Sequence, residues 1–143
     1  MCQAGALLCA LPIAQVGEVM RLLPIERIAG APEWVRGLSV IRGAPVPVID
    51  LALIIGGQAD PATRLVALKA APRPIALAVK TIVGIAAFAD DAVGELPPLL
   101  RDAATETVTA IGARDSRLIV FLRAARLVPE ELLARLDAAG AAL

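Results

Sequence analysis

Residues 37–51, GLSVIRGAPVPVIDL, constrain the fold more than any other stretch of this chain. Two β-branched runs flank a single Arg-Gly pair, and neither run shows the 3.6-residue apolar spacing of a helix. Leu38 to Ile41 therefore reads as one strand, Arg42-Gly43 as the start of a reversal, and Pro45 to Leu51 as the returning strand. Gly43 stands where a hairpin takes positive φ, a conformation that costs glycine nothing.

The same punctuation recurs along the chain. ALLCALPIAQVGEV is an apolar run of strand character, with Pro12 inside it suggesting a sheet edge or a bulge. GAPEWVRG differs: Pro32 suits a first helical position, Glu33 a helix amino end and Gly37 a left-handed cap, which predicts one short helical turn over 32–36. Residues 56–63, GGQADPAT, form a loop by composition. RLVALKA and RPIALAVKTIVGIAAF add two strand runs, and the acidic, proline-bearing segment 90–106 reads as a long connection with at most a helical turn. VTAIGARDSRLIVFLRAARL is a second hairpin, turning at Ala113 to Ser116. The tail from Pro129 predicts a helix over 129–139, with Leu132, Leu133 and Leu136 on one face and Gly140 at its end.

Two internal echoes organise these pieces. CALPIAQVGEV from Cys9 resembles IALAVKTIVGI from Ile75 at an offset of 66, and PVPVIDLALI from Pro45 resembles LIVFLRAARL from Leu118 at an offset of 73. Recurring in the same order, they predict two similar β-lobes, roughly 6–58 and 63–123, within a single domain spanning 1–143. Closure of each lobe into a barrel protects edges that so short a chain would otherwise leave open. The apolar fraction of 58% with only 2% aromatic residues makes the core aliphatic and close packed.

Composition also narrows function. Formal charge is zero and the basic residues are scattered singly, so nothing resembles a nucleic-acid footprint. The longest charge-free run, 1–17, contains Gln3, Pro12, Gln15 and two glycines and has no basic segment before it. Direct membrane insertion and a signal peptide are not expected, and a cytoplasmic location is. Cys2 and Cys9 match neither a zinc site nor a CxxC pair and read as buried thiols.

The residues that catalysis needs are scarce. The chain has no His, Tyr or Asn, and only Ser39 and Ser116 as serines, with Lys69 and Lys80 in no recognisable pairing motif. Asp90-Asp91 lies in a polar connection and Glu130-Glu131 at a helix start, where solvation and the helix dipole account for them. No phosphate loop, dinucleotide fingerprint or metal cluster is present. Neither a cofactor, a metal nor an enzymatic activity is expected. What remains is a protein that works through surfaces.

One run is distinctive: Val16, Glu18 and Val19, then Pro24 through Pro32 and Trp34, then Gly37, Arg42, Gly43, Pro47, Asp50 and Leu51. This run resembles CheW-like domains, the adaptors of chemotaxis-type signalling, and the likeness continues weakly through IALAVKTIVGI and SRLIVFLRAARLV. The resemblance implies an all-β fold of two five-stranded, SH3-like barrels sharing a hydrophobic core. It implies a non-enzymatic adaptor that couples chemoreceptor cytoplasmic tips to a CheA-type histidine kinase through the kinase's regulatory domain. Val16, Glu18, Val19, Gly37 and Arg42 match positions that contact partners, with Arg42 the strongest candidate; Gly43, Pro47 and Asp50 match turn-building positions. Each has a plainer role open to it: Val16 as core, Gly37 as a cap, Asp50 as the cap of a turn.

The chain also departs from the family pattern. Only MCQAG precedes what resembles the second strand, so the amino-terminal strand is expected to be truncated. Val40-Ile41 replaces the usual Asn-Leu, and Lys80 and Arg123 stand where acids are usual. These changes leave open a divergent adaptor that keeps one of its two interactions. They also leave open an assembly subunit that forms homodimers through an unclosed barrel edge.

Overall fold

The computed structural model describes residues 1–5, 7–56, 61–69, 74–86, 93–94, 108–114 and 117–122. Among these residues the fold is almost wholly β, arranged as a five-stranded and a six-stranded sheet. The all-β expectation holds.

The five-stranded sheet contains β3 (Val16–Arg21), β4 (Val35–Ile41), β5 (Ala44–Asp50), β6 (Arg64–Leu68) and β7 (Ala76–Val79), in the order β3-β6-β7-β5-β4. β5 and β7 run parallel, and the remaining neighbours are antiparallel. The chain leaving β3 then returns to the opposite edge. Glu26 and Leu38 exchange two backbone hydrogen bonds of 2.8 Å, and the Ser39 hydroxyl donates to the Pro24 carbonyl at 2.7 Å. This seam ties β4 to the chain that continues from β3 and closes the sheet into a barrel at that end.

The second sheet contains β1 (Cys2–Ala4), β2 (Leu7–Ala10), β8 (Thr81–Ile82), β9 (Val93–Gly94), β10 (Val108–Arg114) and β11 (Arg117–Leu122), in the order β8-β1-β2-β11-β10-β9. The residues ahead of the second strand thus form a three-residue strand held between β2 and β8. β9 is a strand within the segment expected to be connection only. The sheets also interleave along the sequence: β2 belongs to the six-stranded sheet, while β6 and β7 belong to the five-stranded one. Sheet membership therefore does not follow a division into 6–58 and 63–123.

The reason lies at two crossing points. Pro12 is not inside a strand; it introduces a 3-10 turn at Ile13–Gln15 that carries the chain from β2 to β3. The run from Arg73 similarly splits at Lys80, where β7 ends in one sheet and β8 begins in the other. Both crossings fall in the segments related by the offset of 66.

The offset of 73 is equally structural. β10 runs from Val108, 73 positions after Val35, to Arg114, 73 after Ile41, and irregularities interrupt both hairpins at the matching places, Val35/Gly37 and Val108/Ala110. The parallel pairing of β5 with β7 is mirrored by that of β11 with β2.

The aliphatic composition now has a cause. Along β7, Ala76 and Ala78 face the interior of the closed barrel with Val46, Val48 and Leu65. Leu77 and Val79 face a larger cluster with Cys9, Ile49, Val120 and Leu122, which draws on both sheets. A strand buried on both faces shows no polar alternation, and small residues fit the narrow barrel interior. Fully burying each Leu or Val contributes roughly 1.5–3 kcal/mol.

Local expectations needed revision around β4. Residues 32–36 form no helical turn: the Val35 amide donates to the Pro32 carbonyl at 2.9 Å in a tight turn, and β4 starts at Val35. Pairing with β5 and the larger core outweighs the local helix signals. Leu51 does not end the returning strand but opens the only α-helix among the described residues, α1 (Leu51–Gly56). The predicted helix over 129–139, the turn residues 115–116 and Arg123 lie outside the described residues.

Candidate partner-binding site

The β4–β5 hairpin turns in two residues, with Ile41 opposite Ala44. Arg42 has φ 52° and Gly43 φ 81°, so both central residues are left-handed, as in the turns that match strand twist. For Gly43 this is expected. Arg42 is the only non-glycine residue with positive φ among those described, and it takes a conformation that L-residues adopt at a cost of about 1–2 kcal/mol.

The turn places the Arg42 guanidinium across the seam from β3. Its Nε and Nη2 donate to Glu18 Oε2 at 2.9 and 2.8 Å. The arginine side chain is 79% exposed and the glutamate 42%, so the pair is solvent-screened and adds at most about 1 kcal/mol. The structure brings Glu18 and Arg42 together, although 24 residues separate them. Exposed aliphatic residues adjoin the pair in sequence: Val19 follows Glu18 on β3, and Val40, 69% exposed, comes two residues before Arg42. The Val40-Ile41 substitution thus splits between faces, since Ile41 is buried inside the barrel.

The other matched residues are elsewhere. Val16 is half-buried against the larger core and pairs with Leu68. Gly37 is no helix cap. It lies within β4 at the irregularity, with φ 139°, and a Cβ there would overlap the Glu26 carbonyl oxygen. Only glycine admits the seam at this distance. Pro47 is a buried residue of β5 opposite Leu38 rather than part of a turn. It precedes Val48, where pairing with β7 begins, so its missing N–H interrupts no bond to β7.

Asp50 shows a second constellation that sequence reasoning missed in part. Its Oδ1 accepts from the Leu53 amide at 3.3 Å and caps α1, while its Oδ2 accepts from Arg36 Nε at 3.0 Å and Nη2 at 2.9 Å. The acid side chain is only 4% exposed. Arg36 carried no family signal, but the β4 register was a usable clue: Val35 pairs with Ile49, so Arg36 and Asp50 flank that pair. Beside this ion pair a cavity of about 580 Å³ is lined by Arg27, Ile28, Glu33, Arg36, Asp50 and Leu53 among others; neither Glu18 nor Arg42 lines it.

No group of three or more potential metal ligands occurs among the described residues. No helix among them is long and apolar enough to cross a membrane.

The geometry agrees with what the chain is similar to. The model of the CheW-like domain matches residues 1–132. The chain belongs to the CheW-like domain family. This CheW-like domain is 26% identical over 128 residues to "Chemotaxis protein CheW" of Klebsiella aerogenes, covering 87% of this chain and 77% of that one. It is 29% identical over 121 residues to "Probable chemotaxis protein CheW" of Rhizobium etli, covering 82% and 78%. It also matches "Protein PilI" of Pseudomonas aeruginosa, 26% identical over 113 residues, covering 77% and 64%. Among solved structures, the scaffolding protein TtCheW from Thermoanaerobacter tengcongensis superposes with a TM-score of 0.77 at 23% identity, covering 88% of each chain. This likeness supports the two-barrel fold. As a CheW-like domain the chain falls among the adaptors and scaffolds of chemotaxis-type signalling.

Proposed function

We propose that this CheW-like domain is a non-enzymatic, cytoplasmic adaptor that couples the helical tips of chemoreceptors to the regulatory domain of a CheA-type histidine kinase. The Glu18–Arg42 pair and its aliphatic surround are the contact surface. One observation carries the assignment of Arg42. The hairpin holds a long charged side chain in a costly left-handed conformation, 79% exposed and tied, among the described residues, only to another surface residue. A stable fold has no need of that arrangement, whereas a docking surface needs a charge pinned in one place. Val19 and Val40 supply apolar area beside the charge. The seam itself, through Gly37 and Ser39, fixes where β3 and the hairpin sit relative to each other.

Affinity capture of the purified kinase regulatory domain and of a receptor-tip fragment tests this reading. Arg42→Ala is expected to weaken at least one of the two while lowering the melting temperature only slightly, as loss of an exposed ion pair does. Loss of folding in that variant, or full retention of both partners, overturns the assignment. Homodimer formation through an open edge is the competing expectation. The seam ties the chain beyond β3 to β4, and the edge strands of the other sheet, β8 and β9, are two residues each. Light scattering of the isolated protein separates the two readings, because a persistent dimer favours self-association.

A further inference from the structure

Cys2 and Cys9 stand directly opposite each other in the antiparallel pairing of β1 with β2. Opposite residues project on the same face of a sheet, and both thiols lie in the core shared by the two sheets, 4% and 0% exposed. Opposed Cα atoms are about 4.5 or 5.5 Å apart, depending on the type of pair. Both values fall within the roughly 4.4–6.8 Å that a disulfide spans. We propose that Cys2 and Cys9 form an oxidation site, in which a peroxide joins them as a cross-strand disulfide that fastens the amino-terminal strand to β2.

The two thiols are not equivalent. A hydrogen bond from Cys9 holds the Cys2 thiol below its ordinary range, with the amino-terminal charge assisting against the opposing effect of burial. Donating that bond pushes Cys9 far up, and burial adds to the rise. Cys2 is therefore the attacking group. Its thiolate breaks the O–O bond of hydrogen peroxide and becomes a sulfenic acid, releasing hydroxide. The Cys9 sulfur then displaces the sulfenic hydroxyl, and its proton leaves with the oxygen as water. In balance, two thiols lose two hydrogens and one peroxide is reduced to two waters.

Both sulfurs are buried, so the reaction proceeds through local opening of β1. β1 is three residues long and pairs with β8 at Cys2↔Ile82 and Gln3↔Thr81, where the Lys80 and Val83 amides donate to the Gln3 and Met1 carbonyls at 2.8 and 2.9 Å. Short strands with few pairs open at free energies below that of global unfolding. Opening exposes both sulfurs, and reclosing presents them to each other. Once formed, the disulfide keeps β1 on β2, and with it the strand that links β8 to the rest of its sheet. Redox state thereby sets how often this corner opens.

Full-length reduced protein treated with hydrogen peroxide, then alkylated and digested with trypsin, tests the proposal. Arg21 is the first cleavage point, so both cysteines fall in one peptide. That peptide is expected to be lighter by two hydrogens and unalkylated, and to take up two alkyl groups after dithiothreitol. Amide exchange at Gln3 and Ala4 should slow in the oxidised protein. Cys9→Ser should leave a sulfenic acid on Cys2 that dimedone captures, and the wild-type mass measurement decides the matter even if that variant folds poorly. Disulfide-linked dimers, a sulfinic acid on either residue without the internal link, or two thiols that stay alkylatable at peroxide levels oxidising unfolded protein would each overturn it.

Discussion

Two arginines separated by six positions form ion pairs of nearly equal length and opposite character. Arg36 meets Asp50 at 2.9 Å where the acid is 4% exposed; Arg42 meets Glu18 at 2.8 Å where the arginine is 79% exposed. Distance alone does not tell a structural pair from a displayed one. Surroundings do. Asp50 also caps α1, and its amide donates to the Trp34 carbonyl at 2.7 Å, so it knots a strand, a turn and a helix together. Glu18 and Arg42 hold only each other and project from a barrel seam that backbone hydrogen bonds already close. The inner pair is built into the fold, and the outer one stands on the surface where the proposed contact is made.

The sharpest way to break this comparison is to remove Arg36. Arg36→Ala leaves the Asp50 carboxylate buried with only its capping bond, and losing one partner of a buried pair costs about 3–5 kcal/mol. Urea unfolding of Arg36→Ala should show a loss of that order. A loss under about 1 kcal/mol would place the inner pair in the same class as an exposed one. Asp50→Ala should cost less, about 2–3 kcal/mol, because Arg36 is a quarter exposed and its charge reaches water. Reversal of that order would mean that the cap, not the charge, dominates.

Next comes the seam. Gly37→Ala forces a Cβ into the Glu26 carbonyl at a positive φ, so either the strain stays or the Glu26–Leu38 bonds part. A destabilisation of about 2–4 kcal/mol is expected, with faster amide exchange at Glu26 and Leu38. An unchanged urea midpoint would show that the outer strands need no such close approach. Ser39→Ala should cost about 1 kcal/mol by leaving the Pro24 carbonyl without its side-chain donor.

How much of this was legible in the residues varies by scale. The hairpin at 37–51 was readable because Arg42-Gly43 sits between β-branched runs, and the offset of 73 matched its returning strand to β11; the match of β4 to β10 came from the structure. The interleaving of sheets was not, since it turns on Pro12 and Lys80 acting as crossings, which a string of aliphatic residues does not distinguish from a continuous strand. Residues 32–36 misled for a related reason. Pro32, Glu33 and Gly37 carry helix signals one by one, yet Gly37 is there for a non-local contact with Glu26. Family resemblance pointed to Glu18 and Arg42 separately, while their meeting depends on barrel closure. Arg36 had no signal of its own, because an arginine beside a buried strand position looks like any exposed one until register sets it against Asp50.

The smallest expected change in stability is the most informative about function. Arg42→Gly removes the ion pair, worth about 0–1 kcal/mol at this exposure, and relieves a left-handed backbone that costs a non-glycine residue about 1–2 kcal/mol. The two effects nearly cancel, so thermal unfolding should show an unchanged or slightly higher midpoint, while Arg42→Ala should fall slightly below wild type. Both variants should lose partner capture alike, because both lose the guanidinium. Glycine in the turn would then be the better choice for stability and arginine the better choice for binding, the pattern expected when a surface residue is kept for what it contacts. If Arg42→Gly is instead clearly less stable than Arg42→Ala, the left-handed turn carries no strain. If Arg42→Gly captures partners as well as wild type, the contact surface lies elsewhere and the outer pair is no more than a screened surface bridge.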